Sequence, residues 1–293
     1  MPYKQISLNN KVNTAGLSIL SNSALIIIKL IAGIISGSIS IISEAIHSSM
    51  DLFASVMILY SVKVSSNPPD KQHPYGHGKI ENISGVIEAL LILCASVWII
   101  YESTRKFSHL KLSHSLPAGI AVMLISALIN IIVSKKLYKV AKETDSVALA
   151  ADALNHRADV WTSIGVAVSL FIVWLTGLAI LDPIIAIFIA IFILRESFIL
   201  LRSAFSPLLD TKLPDEEIDI IQNVIKAACP EKVKFHQLRT RKSGFHKFID
   251  LHLEVPEELS VKESHDICDI IEKEIKQKIK DSEVVIHVEP LPK

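Results

Sequence analysis

Apolar residues gather into six runs close to the ~20 residues needed to cross a bilayer, at about 15–36, 39–64, 80–104, 116–137, 146–175 and 179–203. The pattern then changes. From about residue 207, "DEEIDIIQNVIKAA" has helical spacing, "VKFHQLRT" and "KFIDLHLEV" alternate, "VKESHDICDIIEKEIKQKI" is a second amphipathic helix, and "EVVIHVE" alternates again. The order α, β, β, α, β predicts a two-layer α+β unit. The chain therefore reads as an α-helical membrane protein: a six-span transmembrane domain over residues 1–206, followed by a soluble α+β domain over 207–293.

Charge sets an orientation. The turns "SGS" and "TGLAILD" carry no basic residue, whereas "SKKLYKVAK" carries Lys135, Lys136, Lys139 and Lys142. By the excess of basic residues in cytoplasmic loops, both termini are expected in the cytoplasm. The loop after the third run, with Arg105, Lys106 and Lys111, opposes this; the other segments agree. Half of the residues are hydrophobic (50%) and the mean hydropathy is +0.44, which fits an integral membrane protein with a soluble part. Lys plus Arg equals Asp plus Glu at 30 each, which argues against a nucleic-acid binder. Cys94, Cys229 and Cys268 form no CxxC pair, so redox chemistry and a cysteine zinc site are not expected. No removable signal peptide is read in "MPYKQISLNNKVNTAG", which fits a bacterial inner membrane.

The chemistry is expected where polar residues interrupt apolar runs. In "SEAIHSSMDLFAS", Glu44, His47 and Asp51 fall within roughly 60° of one another on an ideal helix. In "ADALNHRADVWTS", Asp152, Asn155, His156 and Asp159 share another face. Ionisable groups at membrane depth are costly and tend to mark a pathway. Pairs at i and i+4, His47 with Asp51 and Asn155 with Asp159, would let two helices enclose one cation. A buried ion-pair network that only locks helices together is the bland alternative. Two carboxylates with only Arg157 nearby in sequence weaken it, because a divalent cation relieves their repulsion.

The six runs, "SEAIHSSMD", "HPYGHGKIE", "DALNHRADV" and the tail "HVEP" together resemble the cation diffusion facilitator family of divalent-metal transporters, near its bacterial iron and zinc efflux branch. The resemblance covers about residues 14–290 and implies a ferredoxin-like cytoplasmic domain for metal binding and dimerisation. It implies a transport site of His47, Asp51, Asn155 and Asp159. Zinc-type members typically show His-Asp on the fifth span and manganese-type members Asp-Asp, whereas this chain has Asn155-Asp159. One imidazole with three oxygens is a harder ligand set, which makes iron, cobalt, nickel and manganese credible beside zinc and cadmium. The resemblance, not geometry, selects Asn155 over His156; His156 as ligand would strengthen the zinc reading.

The resemblance further implies a second site of Asp70, His73 and His77 in "NPPDKQHPYGHGKIE", against the bland reading of a rigid turn with solvated histidines. It implies a charge interlock between Lys79 and Asp210 that ties two protomers, and a cytoplasmic binuclear site of His236, His252, His287 and Glu289 with His265 as a bridging or dimer-mate ligand. Alternation independently puts His252 on the face opposite Ile249, Leu251, Leu253 and Val255. His109, His114, His156 and His246 are left as solvated or structural. The function expected is a homodimeric divalent-metal/proton antiporter in the lipid bilayer, exporting metal from the cytoplasm by alternating access, with metal ions as substrate and as regulatory ligands. Two other classes compete, an intramembrane metalloenzyme and a metal sensor that does not transport. No HEXXH or GxSxG motif supports an enzyme.

Overall fold

A computed structural model describes residues 2–36, 39–107, 116–176, 178, 180–229 and 233–291. The chain divides into two compact units, Met1–Phe205 and Ser206–Lys293. Among the described residues the first contains six helices: α1 (Pro2–Ser36), α2 (Ile39–Ser65), α3 (Lys79–Lys106), α4 (Leu116–Thr144), α5 (Val147–Thr176) and α6 (Leu181–Phe205). Among the described residues, five stretches, in α1, α2, α3, α4 and α6, are long and apolar enough to cross a membrane. α5, with 30 residues, spans about 45 Å and carries Asp152, Arg157 and Asp159 in its first half. Large apolar side chains such as Ile35, Phe188, Ile34 and Trp98 point outward, as a lipid-facing surface requires.

α1 packs on α2 and α4, α4 on α5, and α3 on α6. Between lipid-soluble helices no hydrophobic gain remains, so close approach and polar contacts hold the bundle. Small residues supply both. Ser61 and Ser84 meet at 2.8 Å between α2 and α3, and Ser134 of α4 donates to the Ala153 carbonyl of α5 at 2.9 Å. At Gly85 a Cβ would stand 3.0 Å from Val147 and 3.3 Å from Ala204, so this glycine lets α3 approach α5 and α6 together.

α1 begins well before the apolar run that starts near residue 15, and the polar first turns have their own partners. Lys11 reaches Glu81 of α3 at 3.0 Å, with side-chain exposures of 3% and 0%. Ser65 donates to the same carboxylate oxygen at 2.9 Å and Ser146 to the other at 2.6 Å. Residues of α1, α2, α3 and the α4–α5 connection thus converge on one buried carboxylate.

The second unit starts with a 3-10 turn (Ser206–Leu209) and continues as α7 (Asp215–Ala228), β1 (Lys234–Ser243), β2 (His246–Val255), α8 (Val261–Lys278) and β3 (Ser282–Pro290). The sheet order is β1-β2-β3, with β1 antiparallel and β3 parallel to β2. Ile221 and Ile225 of α7, Ile271 and Ile275 of α8, and Ile249, Leu251 and Leu253 of β2 form the core. The two helices therefore cover one sheet face and leave the other to polar residues. Ser260 caps α8 with a reciprocal box: the Glu263 amide donates to its hydroxyl at 3.2 Å, and its own amide donates to the Glu263 carboxylate at 2.8 Å.

That box holds the Glu263 carboxyl below its ordinary value, first through the Ser260 hydroxyl. A depressed value stabilises the fold above the unfolded pKa of about 4.3, and the gain is lost as pH falls through the folded value. Ser260→Ala is expected to cost about 1 kcal/mol at pH 7, with a smaller difference at pH 3. Urea unfolding of residues 207–293 at both pH values measures it.

Candidate metal centres

Three contacts align α2 with α5. Ser55 donates to Asp152 at 3.2 Å, the Asn155 amide donates to Asp51 at 3.2 Å, and ligand atoms of His47, Asp51 and Asp159 all lie within 4.8 Å of one another. As the number rises along α2 it falls along α5, so the helices are antiparallel and each i, i+4 pair meets its counterpart. Asp51 is buried at 8% exposure while His47 is exposed, so the cluster extends from the interior to the surface of the unit. Rotating the Asn155 amide would present its oxygen to a cation in place of the N–H that now faces Asp51.

Four-coordinate ligands about 2.1 Å from a metal are about 3.4 Å apart. Closing the cluster around an ion therefore needs movements on the order of 1 Å.

His156 is turned elsewhere. It is 1% exposed, with Nε2 2.8 Å from the Ser18 hydroxyl of α1 and Nδ1 2.9 Å from the Asn130 amide oxygen of α4. Asp152 accepts from Ser18 at 3.1 Å and from Ser55, and Asn22 donates to Ser55 at 3.0 Å. This network supports the helices beneath the His47/Asp51/Asn155/Asp159 cluster. Glu88 of α3, 1% exposed, lies within Coulombic reach of Asp152 and Asp51. Its Oε2 has no hydrogen-bond partner among the described residues.

The α2–α3 connection brings Asp70, His73 and His77 together. His73 Nδ1 stands 3.3 Å from one Asp70 oxygen and His77 Nε2 3.3 Å from the other. The turn is built by the Asp70 side chain itself, which accepts from the His73 amide at 2.6 Å and the Gln72 amide at 2.8 Å. Gly76 completes it at φ 81°, the left-handed region that glycine enters freely. The His73 amide, more than Gln72 or the imidazoles, holds the Asp70 carboxyl below its ordinary value and keeps it anionic. Nδ1 of His77 is buried with no partner among the described residues.

On the exposed face of the sheet, register sets the third cluster. His236 pairs with His252 and His252 with His287, so three imidazoles lie in a row across the strands. Glu289 Oε1 is 2.6 Å from His252 and 3.5 Å from His287, and its Oε2 is 3.2 Å from His236. Ligand atoms of His236, His252 and Glu289 are within 4.8 Å of one another. Imidazoles with one carboxylate suit a divalent transition metal. His265 is not brought in: it is 72% exposed on α8, with Nε2 3.7 Å from Asp269. His246 stacks on Phe245 instead.

Asp210 lies 3.8 Å from Arg241, and Lys79 opens α3. The side chain of Glu44, together with His109, His114 and positions 37–38 of the "SGS" turn, lies outside the described residues. Sequence reasoning missed Glu81 and Glu88, each an acidic residue in the third apolar run; their interruption of that run was the available signal.

Two family models match. The cation efflux transmembrane domain covers residues 16–209 and the cation efflux protein cytoplasmic domain covers 213–291. An uncharacterized transporter of Synechocystis sp. is 33% identical over 290 residues, 99% of this chain and 90% of that protein. The cation-efflux pump FieF of Salmonella newport is 31% identical over 268 residues, 92% of this chain and 89% of the pump. Among solved structures, the metal-bound C-terminal domain of the CzcD transporter from Thermotoga maritima is 34% identical, covering 28% of this chain and 98% of that one, at a TM-score of 0.24.

Proposed function

Because the chain belongs to the cation diffusion facilitator family of cation efflux transporters, we propose that it exports a divalent transition metal in exchange for protons, through a transport site of His47, Asp51, Asn155 and Asp159. The observation that carries this reading is the convergence of two carboxylates, an imidazole and an amide from α2 and α5 within the six-helix unit. A divalent ion would compensate the Asp51 and Asp159 carboxylates together. Metal and protons compete for the same lone pairs, so release of the ion lets protons bind, and that competition couples the two fluxes. Rocking of helices around the site would expose it to each side in turn. Zinc, iron, cobalt, nickel, manganese and cadmium are the candidate ions.

The working form is a homodimer in a bacterial inner membrane, with both termini and residues 207–293 in the cytoplasm. Asp70, His73 and His77 would form a metal site at the cytoplasmic mouth, and Lys79 and Asp210 would tie the protomers. His236, His252, His287 and Glu289, with His265 from the dimer mate, would bind metal when its cytoplasmic level is high and tighten the dimer.

Flux into proteoliposomes under a pH gradient, run across several metals, tests the reading. Stoichiometric, gradient-dependent uptake supports it, whereas metal binding without flux would leave a sensor or an enzyme. Ligand chemistry gives a sharper expectation at Asn155. Asn155→His adds a borderline-soft, titratable ligand and should move preference toward zinc and cadmium with a steeper pH dependence. Asn155→Asp should favour manganese and iron. An unchanged metal ranking in both variants, with a changed one in His156→Ala, would transfer the ligand role to His156.

In the cytoplasmic domain a graded effect is expected. His252→Ala or His287→Ala should weaken metal-induced compaction of residues 207–293 more than flux at saturating metal. X-ray scattering with and without metal measures the first, and an identical response in the variants would count against the cluster.

A further inference from the structure

Lys11 and Lys29 in the six-helix unit face Glu81 and Ser48. Lys135 of α4 and Arg157 of α5 differ: among the described residues neither has a hydrogen-bond or ion-pair partner. Both line one cleft of about 290 Å³ between α4 and α5. Lys135 lies nine residues before the end of α4 at Thr144, and Arg157 ten residues after the start of α5 at Val147. At 1.5 Å per residue both cations sit about 14–15 Å from the same end of the bundle. Glu196 of α6 lines an adjoining cleft with Arg157, but its carboxylate faces Arg195 at 2.9 Å. The Ser134 hydroxyl, also in the cleft, is already bonded to the Ala153 carbonyl.

Two uncompensated cations on a lipid-facing surface are costly, and the cost is relieved by an anion at the same depth. We propose that the cleft binds the headgroup of an anionic glycerophospholipid, with its phosphodiester between Lys135 and Arg157. The Arg157 guanidinium matches two phosphate oxygens with its planar fork, and Lys135 adds a compact second charge. Exposed Tyr138 and Trp161 flank the cations, as amphipathic rings do where headgroups meet acyl chains. Ile131 and Val160 give the remainder of the cleft an apolar wall, which suits an acyl chain and serves no purpose for a soluble phosphate. A basic cleft between membrane helices is the form such lipid sites take. Arg157 stands between Asn155 and Asp159 on α5, so a lipid held there would bear on the helix that carries both residues.

The test uses the full-length protein in detergent, titrated with phosphatidylglycerol, phosphatidylcholine or inorganic phosphate, with bound lipid counted by native mass spectrometry. Phosphatidylglycerol should be retained several-fold more strongly than phosphatidylcholine, Lys135→Gln and Arg157→Gln should each weaken it several-fold, and the double variant should bind both lipids alike. Equal retention of both lipids by the unaltered protein overturns the proposal, as does undiminished phosphatidylglycerol binding in the double variant. Displacement of phosphatidylglycerol by millimolar inorganic phosphate would assign the site to a soluble anion and likewise overturn it. A second measurement leaves the cations in place: with Trp98→Phe and Trp174→Phe, Trp161 is the remaining tryptophan. Brominated phosphatidylglycerol should quench it more than brominated phosphatidylcholine, and equal quenching counts against the site.

Discussion

Proteoliposomes carrying Asp51→Ala or Asp159→Ala are expected to show no metal flux above empty vesicles, while the protein still elutes as a folded dimer in detergent. In the proposed site these two carboxylates supply the whole formal charge that offsets a divalent ion, and the surroundings screen weakly. Removing one leaves a net positive complex in a place where ions are costly. The loss should exceed that in His47→Ala, which removes a neutral ligand and leaves the charge balance intact. Asp51 has a structural task as well, because it accepts from Asn155. Retained flux in either aspartate variant would remove the cluster from the transport reaction.

A large effect on stability, rather than flux, is expected at the Lys11–Glu81 pair. Lys11→Met would leave a buried carboxylate with the hydroxyls of Ser65 and Ser146 as its partners among the described residues, and breaking such a pair from one side costs about 3–5 kcal/mol. Adding Glu81→Gln removes the stranded charge, keeps hydrogen-bonding capacity toward both serines, and should recover most of the loss. Thermal unfolding in detergent of the single and double variants measures this. A single variant as stable as the unaltered protein would show that the four converging elements are held by other contacts.

The six helices and the α, β, β, α, β order were legible because each rests on a periodic pattern, 3.6 or 2, repeated over many residues. His252 was legible for the same reason, since alternation with Ile249, Leu251 and Leu253 leaves it one face. His236 was harder. Phe235 and Leu238 both pack against the core although they are three apart, which no regular strand permits. The register shift between His236 and Arg239, with Gln237 at φ 49°, inserts one residue and brings His236 opposite His252.

The choice between Asn155 and His156 was out of reach of helical angles, because neighbours 100° apart can both border one cavity. Contacts from other helices give the two different surroundings, which no local pattern encodes: Ser18 and Asn130 meet His156, and Asp51 meets Asn155. Glu81 illustrates the same limit. Its partners come from positions 11, 65 and 146, and nothing local in the sequence links them.

The antiparallel course of α2 and α5 makes an ion between them a gauge of axial registry. Sliding one helix past the other by a single residue's rise, about 1.5 Å, exceeds the ~0.2 Å tolerance of metal–ligand distances. An occupied site would therefore behave as a rivet: α2 and α5 could tilt or swing as one body, but could not shear lengthwise until the ion had left.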